Sequence, residues 1–79
     1  MMKERIIDVA KDIVSDTESF CNKYDVDEKS ARGAKIWRST YDEIQGIIVL
    51  AMELFGYEVE DYPITYLQEL QDTIEKKIQ

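Results

Sequence analysis

The most constraining feature of this sequence is the regular spacing of apolar residues between positions 34 and 55. Successive apolar positions lie alternately three and four residues apart, which is the spacing of a helix seam that packs against other helices. The series consists of Ala34, Trp37, Tyr41, Ile44, Ile48, Ala51 and Phe55. From Ile44 to Phe55 most residues outside the seam are apolar too, and a helix that is apolar on most sides is surrounded by other elements. The pattern predicts a long central helix over about 28–55.

Both ends of this helix carry recognisable signals. Asp27 is a candidate N-cap, and Asp25 with Glu28 forms an alternative capping-box register. Gly56 stands where a glycine commonly ends a helix. Gly33 and Gly46 are unfavourable inside a helix, so each predicts either a bend or a close helix crossing. A break near Gly33 or near residues 39–40 is therefore an alternative to one continuous helix.

Two further helical patterns flank the central one. The first covers about residues 3–24, and the third begins at Pro63 or two residues later at a Thr65 capping box. The predicted apolar face of the first helix is Ile6, Val9, Ile13, Phe20 and Tyr24, flanked by Ala10, Thr17 and Cys21. That of the third is Ile64, Leu67, Leu70, Ile74 and Ile78. The prediction is an all-α, three-helix bundle-like arrangement in one domain of 79 residues. Apolar surface left over on the central helix would form the seam of a homodimer.

The residue inventory argues against an enzyme. The chain has no His and one Cys, which excludes a histidine-based triad, an imidazole zinc site and an intramolecular disulfide. The three glycines are far apart, so no glycine-rich phosphate loop is present. Paired carboxylates such as Glu69 with Asp72 are interpreted as solvated helix faces, and Cys21 as a buried, inert thiol. We expect no catalytic residue, no cofactor and no metal.

The apolar segments are too short for a membrane protein. The near-apolar run from Ile44 to Phe55 covers 12 residues, whereas about 20 are needed to span a bilayer. The N-terminus has an amphipathic pattern rather than the apolar core of a signal peptide. We therefore expect a cytoplasmic protein that does not bind membranes.

Charge is strongly segregated along the chain. Residues 29–41 carry four basic residues and no acidic one, namely Lys29, Arg32, Lys35 and Arg38. One interpretation is a nucleic-acid-binding or regulatory homodimer that uses this basic stretch, with Trp37 as a stacking residue. A second is a binding site for an acidic protein partner, with Trp37 as a hot-spot residue. The third, which the seam position of Trp37 favours, is a solvated surface that faces acids of the first helix and a Trp37 that belongs to the core.

The opposite charge dominates the second half of the chain. Residues 42–72 carry eight acidic residues and no basic one. Within them, Tyr and carboxylate residues alternate in a way that suits recognition of a basic surface, because Tyr supplies contact area and the acids supply steering. The predicted partner-binding residues are Tyr57, Glu58, Glu60, Asp61, Tyr62 and Tyr66. The alternative is an ordinary loop whose Tyr rings pack over the end of the core.

The net charge of −7 repels nucleic acid and anionic lipid and favours basic protein partners. The leading functional prediction is a small acidic protein-binding module, either an inhibitor or an adaptor. Compact acidic chains of this kind are typical of phage or mobile-element proteins that block a basic or nucleic-acid-binding surface of a target. The alternatives are the nucleic-acid-binding homodimer described above and a structural subunit of a larger assembly.

Overall fold

The computed structural model describes residues 2–56 and 63–78, with side chains from residue 4 onward. This part of the chain forms three helices: α1 (Met2–Lys23), α2 (Ala31–Phe55) and α3 (Ile64–Ile78). It contains no strand. The all-α prediction with three helices is confirmed.

Helix α2 is the central element, as the apolar seam predicts. It packs closely against α3 and less extensively against α1, whereas α1 and α3 touch each other only sparingly. Trp37, Ile44, Ile48 and Ala51 of the predicted seam are buried, Tyr41 and Phe55 pack partly against the core, and Ala34 is half-buried. The helix runs without a break through Gly33, Gly46 and residues 39–40. Its 25 residues span about 37 Å, close to the 38 Å long dimension of the molecule.

The predicted start of α2 at residue 28 is wrong by three residues. Ser30, not Asp27, is the N-cap, and its Oγ accepts a hydrogen bond of 3.0 Å from the Gly33 amide. Asp27 instead accepts a bond from the Lys29 amide at 2.9 Å within the preceding turn. The turn passes so close to the first helical turn that a Cβ on Gly33 would overlap the Asp27 carbonyl oxygen. Gly33 is therefore required by close backbone approach and not by a bend.

The buried face of α1 is shifted from the predicted one. Ile6, Ile7, Ala10 and Cys21 are buried. By contrast, Val9, Phe20 and Tyr24, which were predicted on the apolar face, are 48%, 42% and 53% exposed. The helix therefore turns the Ile7–Ala10–Cys21 side toward α2 and α3, and it leaves the predicted stripe partly open to solvent.

Helix α3 follows its predicted face. Ile64, Leu67 and Ile74 are buried, and Leu70 and Ile78 pack partly against the core. The Leu67 amide donates to the Pro63 carbonyl at 3.0 Å, so Pro63 immediately precedes the first helical turn. Polar side chains also cross between helices. Gln71 donates to Gln45 at 2.8 Å, and Thr17 and Thr40 hydroxyls lie 2.5 Å apart.

Candidate protein-binding surfaces

The predicted acidic and tyrosine-rich surface lies mostly outside the described residues. Tyr57, Glu58, Glu60, Asp61 and Tyr62 fall in the segment between α2 and α3 that the structure does not describe. Tyr66 is the described member of the set. It lies on α3, partly buried against the core, with the Lys11 ammonium of α1 5.4 Å from its ring centroid. This contact gives Tyr66 a structural role between α1 and α3.

The four predicted basic residues all lie at the surface. Arg32, Lys35 and Arg38 follow one another at steps of three on the first half of α2, and all are exposed. Steps of three drift by about 60° each around a helix, so the three side chains share a broad solvent-facing arc. Lys29 precedes the helix, and its ammonium donates to the Lys76 carbonyl at 3.3 Å.

The favoured interpretation of the sequence, in which these basic side chains face acids of α1, stays a prediction. Lys77 of α3 pairs with Glu28 at 3.3 Å, and Arg32, Lys35 and Arg38 form no ion pair within residues 2–56 and 63–78. Arg38 instead lies over the Tyr41 ring, 5.4 Å from its centroid. Arg32, Lys35 and Arg38 therefore form an exposed basic face, which we call the basic face of α2.

Trp37 belongs to the core and not to that basic face. Its side chain is 2% exposed, and the Lys77 ammonium lies 5.1 Å from its ring centroid. The indole Nε1 is buried without a hydrogen-bond partner among the described residues. Trp37 also lines an open cavity of about 420 Å³. The other lining residues are Glu18, Cys21, Asn22, Val26, Asp27, Glu28 and Lys77.

The second half of α2 exposes aliphatic side chains on the side away from the core. Val49, Leu50 and Leu54 are 49%, 52% and 53% exposed. These three residues form what we call the aliphatic face of α2. Helices α1 and α3 leave about half of each side chain open, and α1 borders the face at Leu50. The sequence pattern predicted that this stretch is surrounded, and for this face that prediction is wrong within the described chain.

A groove runs beside the aliphatic face, between α1 and α2. It is lined by Arg5, Ile6 and Val9 of α1 and by Ile47 and Leu50 of α2, and it encloses about 130 Å³. We call it the α1–α2 groove. Its lining surface is apolar. A volume of this size admits a benzene-sized group, so a single apolar side chain fits it.

Sequence reasoning missed Leu50 and Leu54 as surface residues, but a signal for them was present. Two neighbouring helices cannot cover every side of a third that is apolar on most sides. The apolar surface of the central helix that stays uncovered was predicted to be the seam between two copies of the chain. What the pattern does not specify is the side of α2 on which this surface lies, because that depends on the angle at which α1 packs.

The described residues offer no further chemistry of an obvious kind. In residues 2–56 and 63–78, no group of three or more Cys, Asp or Glu side chains is placed to hold a metal ion. No described helix combines the length and apolarity required to cross a membrane. Compared with models of known protein families, with curated proteins and with solved structures, the chain gives no significant match.

Proposed function

We propose that this chain is a small, non-enzymatic protein-binding module whose partner presents a basic surface. The observation that carries the proposal is the aliphatic face of α2, where Leu50 and Leu54, one helical turn apart, and Val49 are each about half exposed. Contiguous exposed apolar surface on a small protein commonly marks an interaction site. Apolar contact supplies affinity at such a site, and charge supplies partner choice.

The charges around this face favour a basic partner. Asp42 and Glu43 precede the aliphatic face on α2 and are exposed, and Glu53 lies within it. The chain as a whole carries a net charge of −7. The acidic stretch from Tyr57 to Asp61 follows α2 directly in sequence. A target with a basic or nucleic-acid-binding surface would be attracted to this end of the molecule, and binding there would block that surface, as an inhibitor does.

Capture from a lysate of the source cell tests this proposal when it is run with matched variants. Leu50→Lys changes the aliphatic face, and Gln68→Lys makes the same change of charge on an exposed position of α3. We expect the wild type and Gln68→Lys to capture one stoichiometric protein that survives nuclease treatment, and Leu50→Lys to lose it. Equal capture by both variants, or no captured protein, contradicts the proposal.

A nucleic-acid-binding protein is the second candidate. Arg32, Lys35 and Arg38 favour it, because they are exposed on one arc of α2 and form no ion pair within the described chain. Phosphate contacts of this kind weaken steeply as salt rises. Binding of a nucleic acid that is lost on Arg32→Glu with Arg38→Glu, and that falls steeply with salt, would favour this candidate.

A further inference from the structure

We infer that the α1–α2 groove binds a basic amphipathic helix of the partner protein. This inference rests on the proposed protein-binding function and specifies the segment recognised and the residues that recognise it.

The side of α1 that borders the groove at Val9 continues along the helix toward its C-terminal end. Arg5, Val9, Asp12, Asp16 and Phe20 follow at steps of four, three, four and four, so they share one side of α1, and all five are exposed. Val9 meets Ile47 and Leu50 in the groove, which shows that this side of α1 borders α2. Phe20 lies about 16 Å further along the helix axis than Val9, and its ring packs on that of Tyr24 with centroids 4.8 Å apart.

Three carboxylates lie between these apolar ends. The Thr17–Thr40 contact and the Val9–Leu50 contact show that α1 and α2 run antiparallel. Glu43 of α2 therefore lies level with the stretch between Asp12 and Asp16 of α1. All three residues are exposed, and none forms an ion pair within the described chain. The groove itself is apolar, with Arg5 as its basic residue, and the surface that continues from it toward Phe20 carries these three carboxylates.

This pattern matches one kind of occupant. A helix laid in a groove contacts it through anchors on one face, at spacings of three and four residues. Here the complementary helix would place apolar anchors about 11 residues apart, the separation of Val9 and Phe20, with Lys or Arg between them. The rise of an α-helix makes that distance about 16 Å, which a helix of four turns covers.

A second copy of this chain fits the groove less well. A two-fold axis through the groove would bring the same surface of both copies together. It would therefore place Asp12, Asp16 and Glu43 against their own counterparts, in two chains that each carry a net charge of −7. Like charges brought together at an interface disfavour association. The acidic surface beside the groove thus selects a basic partner over self-association.

The inference is tested with a defined peptide and two pairs of charge-removing variants. The probe is a fluorescein-labelled, 18-residue helical peptide of Leu, Lys and Ala, with Leu on one face and Lys beside it. The groove variant is Asp12→Asn with Asp16→Asn. The control variant is Glu69→Gln with Asp72→Asn, which removes the same charge from exposed positions of α3. Binding is measured by fluorescence anisotropy at 0.15 M salt.

We expect the wild type and the control variant to bind the peptide equally and the groove variant to bind about tenfold more weakly, since two exposed charge pairs are lost. A peptide with Glu in place of Lys should not bind. In amide spectra the peptide should shift the resonances of Val9 and Leu50 and leave that of Glu69 unchanged. Equal weakening by both variants, binding of the Glu peptide, or no binding of the Lys peptide overturns the inference.

The same reagents separate this inference from the proposed function. If a captured partner depends on Leu50 but is neither displaced by the Lys peptide nor weakened by the groove variant, the protein-binding function stands and the groove inference fails. If no protein is captured, the proposed function fails, and the peptide titration alone judges the groove. A dimer in light scattering that dissociates on Leu50→Lys, together with failure of the peptide to bind, would assign the surface to a second copy and overturn the inference.

Discussion

The carbonyl oxygen of Asp27 lies over Gly33 at a position that a Cβ on residue 33 would overlap. This approach lets Ser30 cap α2 while the turn folds back across the first helical turn. Gly33→Ala should therefore destabilise the protein by about 1–3 kcal/mol, because the turn must move to admit the methyl group. Urea denaturation monitored by circular dichroism measures the change.

Gly46 provides the matched control. It lies on the exposed side of the same helix, and a Cβ there would meet nothing within 4 Å. Gly46→Ala should stabilise the protein by up to about 1 kcal/mol through helix propensity. If both substitutions change the free energy of unfolding in the same direction, the close approach of Asp27 to Gly33 is not what requires a glycine.

The hydroxyls of Thr17 and Thr40 join α1 to α2 near the middle of their contact. They lie 2.5 Å apart, Thr40 is 3% exposed, and Thr17 also donates to the Ile13 carbonyl at 3.1 Å. Thr40→Val should cost about 1–2 kcal/mol, because it leaves a polar atom of Thr17 without its partner.

A double-mutant cycle isolates this contact. The Thr17→Val, Thr40→Val double variant should lose less than the sum of the two single variants, with a coupling of about 0.5–1.5 kcal/mol. Additive single effects would show that the two hydroxyls contribute independently. Denaturant unfolding of the four proteins under one set of conditions gives the result.

The seam of α2 and the face of α3 were predictable because burial on both follows a helical repeat. Ile44 and Ile48 lie four residues apart on α2, Leu67 and Ile74 lie seven apart on α3, and all four are buried. The face of α1 was less predictable because two overlapping stripes compete there. The sequence would allow α1 to bury either the side that carries Val9 and Phe20 or the neighbouring side that carries Ile7, Ala10 and Cys21. Packing against α2 and α3 selects the second.

Neither the first residue of α2 nor the α1–α2 groove could be predicted from the sequence, for different reasons. Asp27 and Ser30 are both good N-cap residues, and the choice between them depends on where the turn crosses Gly33. The groove depends on the packing of α1 against α2, because the same residues with a closer α1 would cover Val9 and Leu50. The basic residues of α2 were assigned correctly to the surface, where Arg32, Lys35 and Arg38 are exposed.

Ile44 and Leu54 of α2 differ strongly in burial and should respond differently to truncation. Ile44 is 0% exposed and lies in the core, whereas Leu54 is 53% exposed. Ile44→Ala should cost about 2–5 kcal/mol through lost burial and a cavity. Leu54→Ala should cost about 1 kcal/mol or less, because only part of its side chain leaves contact.

The variants Ile44→Ala and Leu54→Ala also distinguish an effect on stability from an effect on partner binding. Leu54→Ala should weaken capture of the partner while the protein stays folded, as judged by circular dichroism and by its free energy of unfolding. A loss of stability on Leu54→Ala as large as that on Ile44→Ala would mean that the aliphatic face is covered in solution, and would contradict its assignment as an open binding surface.

Tyr62 and Glu60 test the acidic stretch that follows α2. The double variant Tyr62→Ala with Glu60→Lys should weaken capture of a basic partner at least as much as Glu60→Lys by itself, because an aromatic contact with the partner is lost in addition to the charge. The matched control is Gln68→Lys with Glu69→Gln, which makes the same change of two charge units on exposed positions of α3. Unchanged capture by the first variant would remove this stretch from the partner-binding surface.

The basic face of α2 distinguishes the two candidate functions. Arg32 and Arg38 are exposed and form no ion pair within the described chain, so Arg32→Glu with Arg38→Glu should change the free energy of unfolding by about 0.5 kcal/mol or less. For a protein-binding module with a basic partner, we expect this variant to capture the partner as the wild type does. In a gel-retardation assay at 0.15 M salt, we also expect neither the wild type nor the variant to retard a nucleic acid of about 20 nucleotides, because the net charge of −7 repels it. Retardation by the wild type that the variant loses, with a steep dependence on salt, would instead assign the function to this basic face.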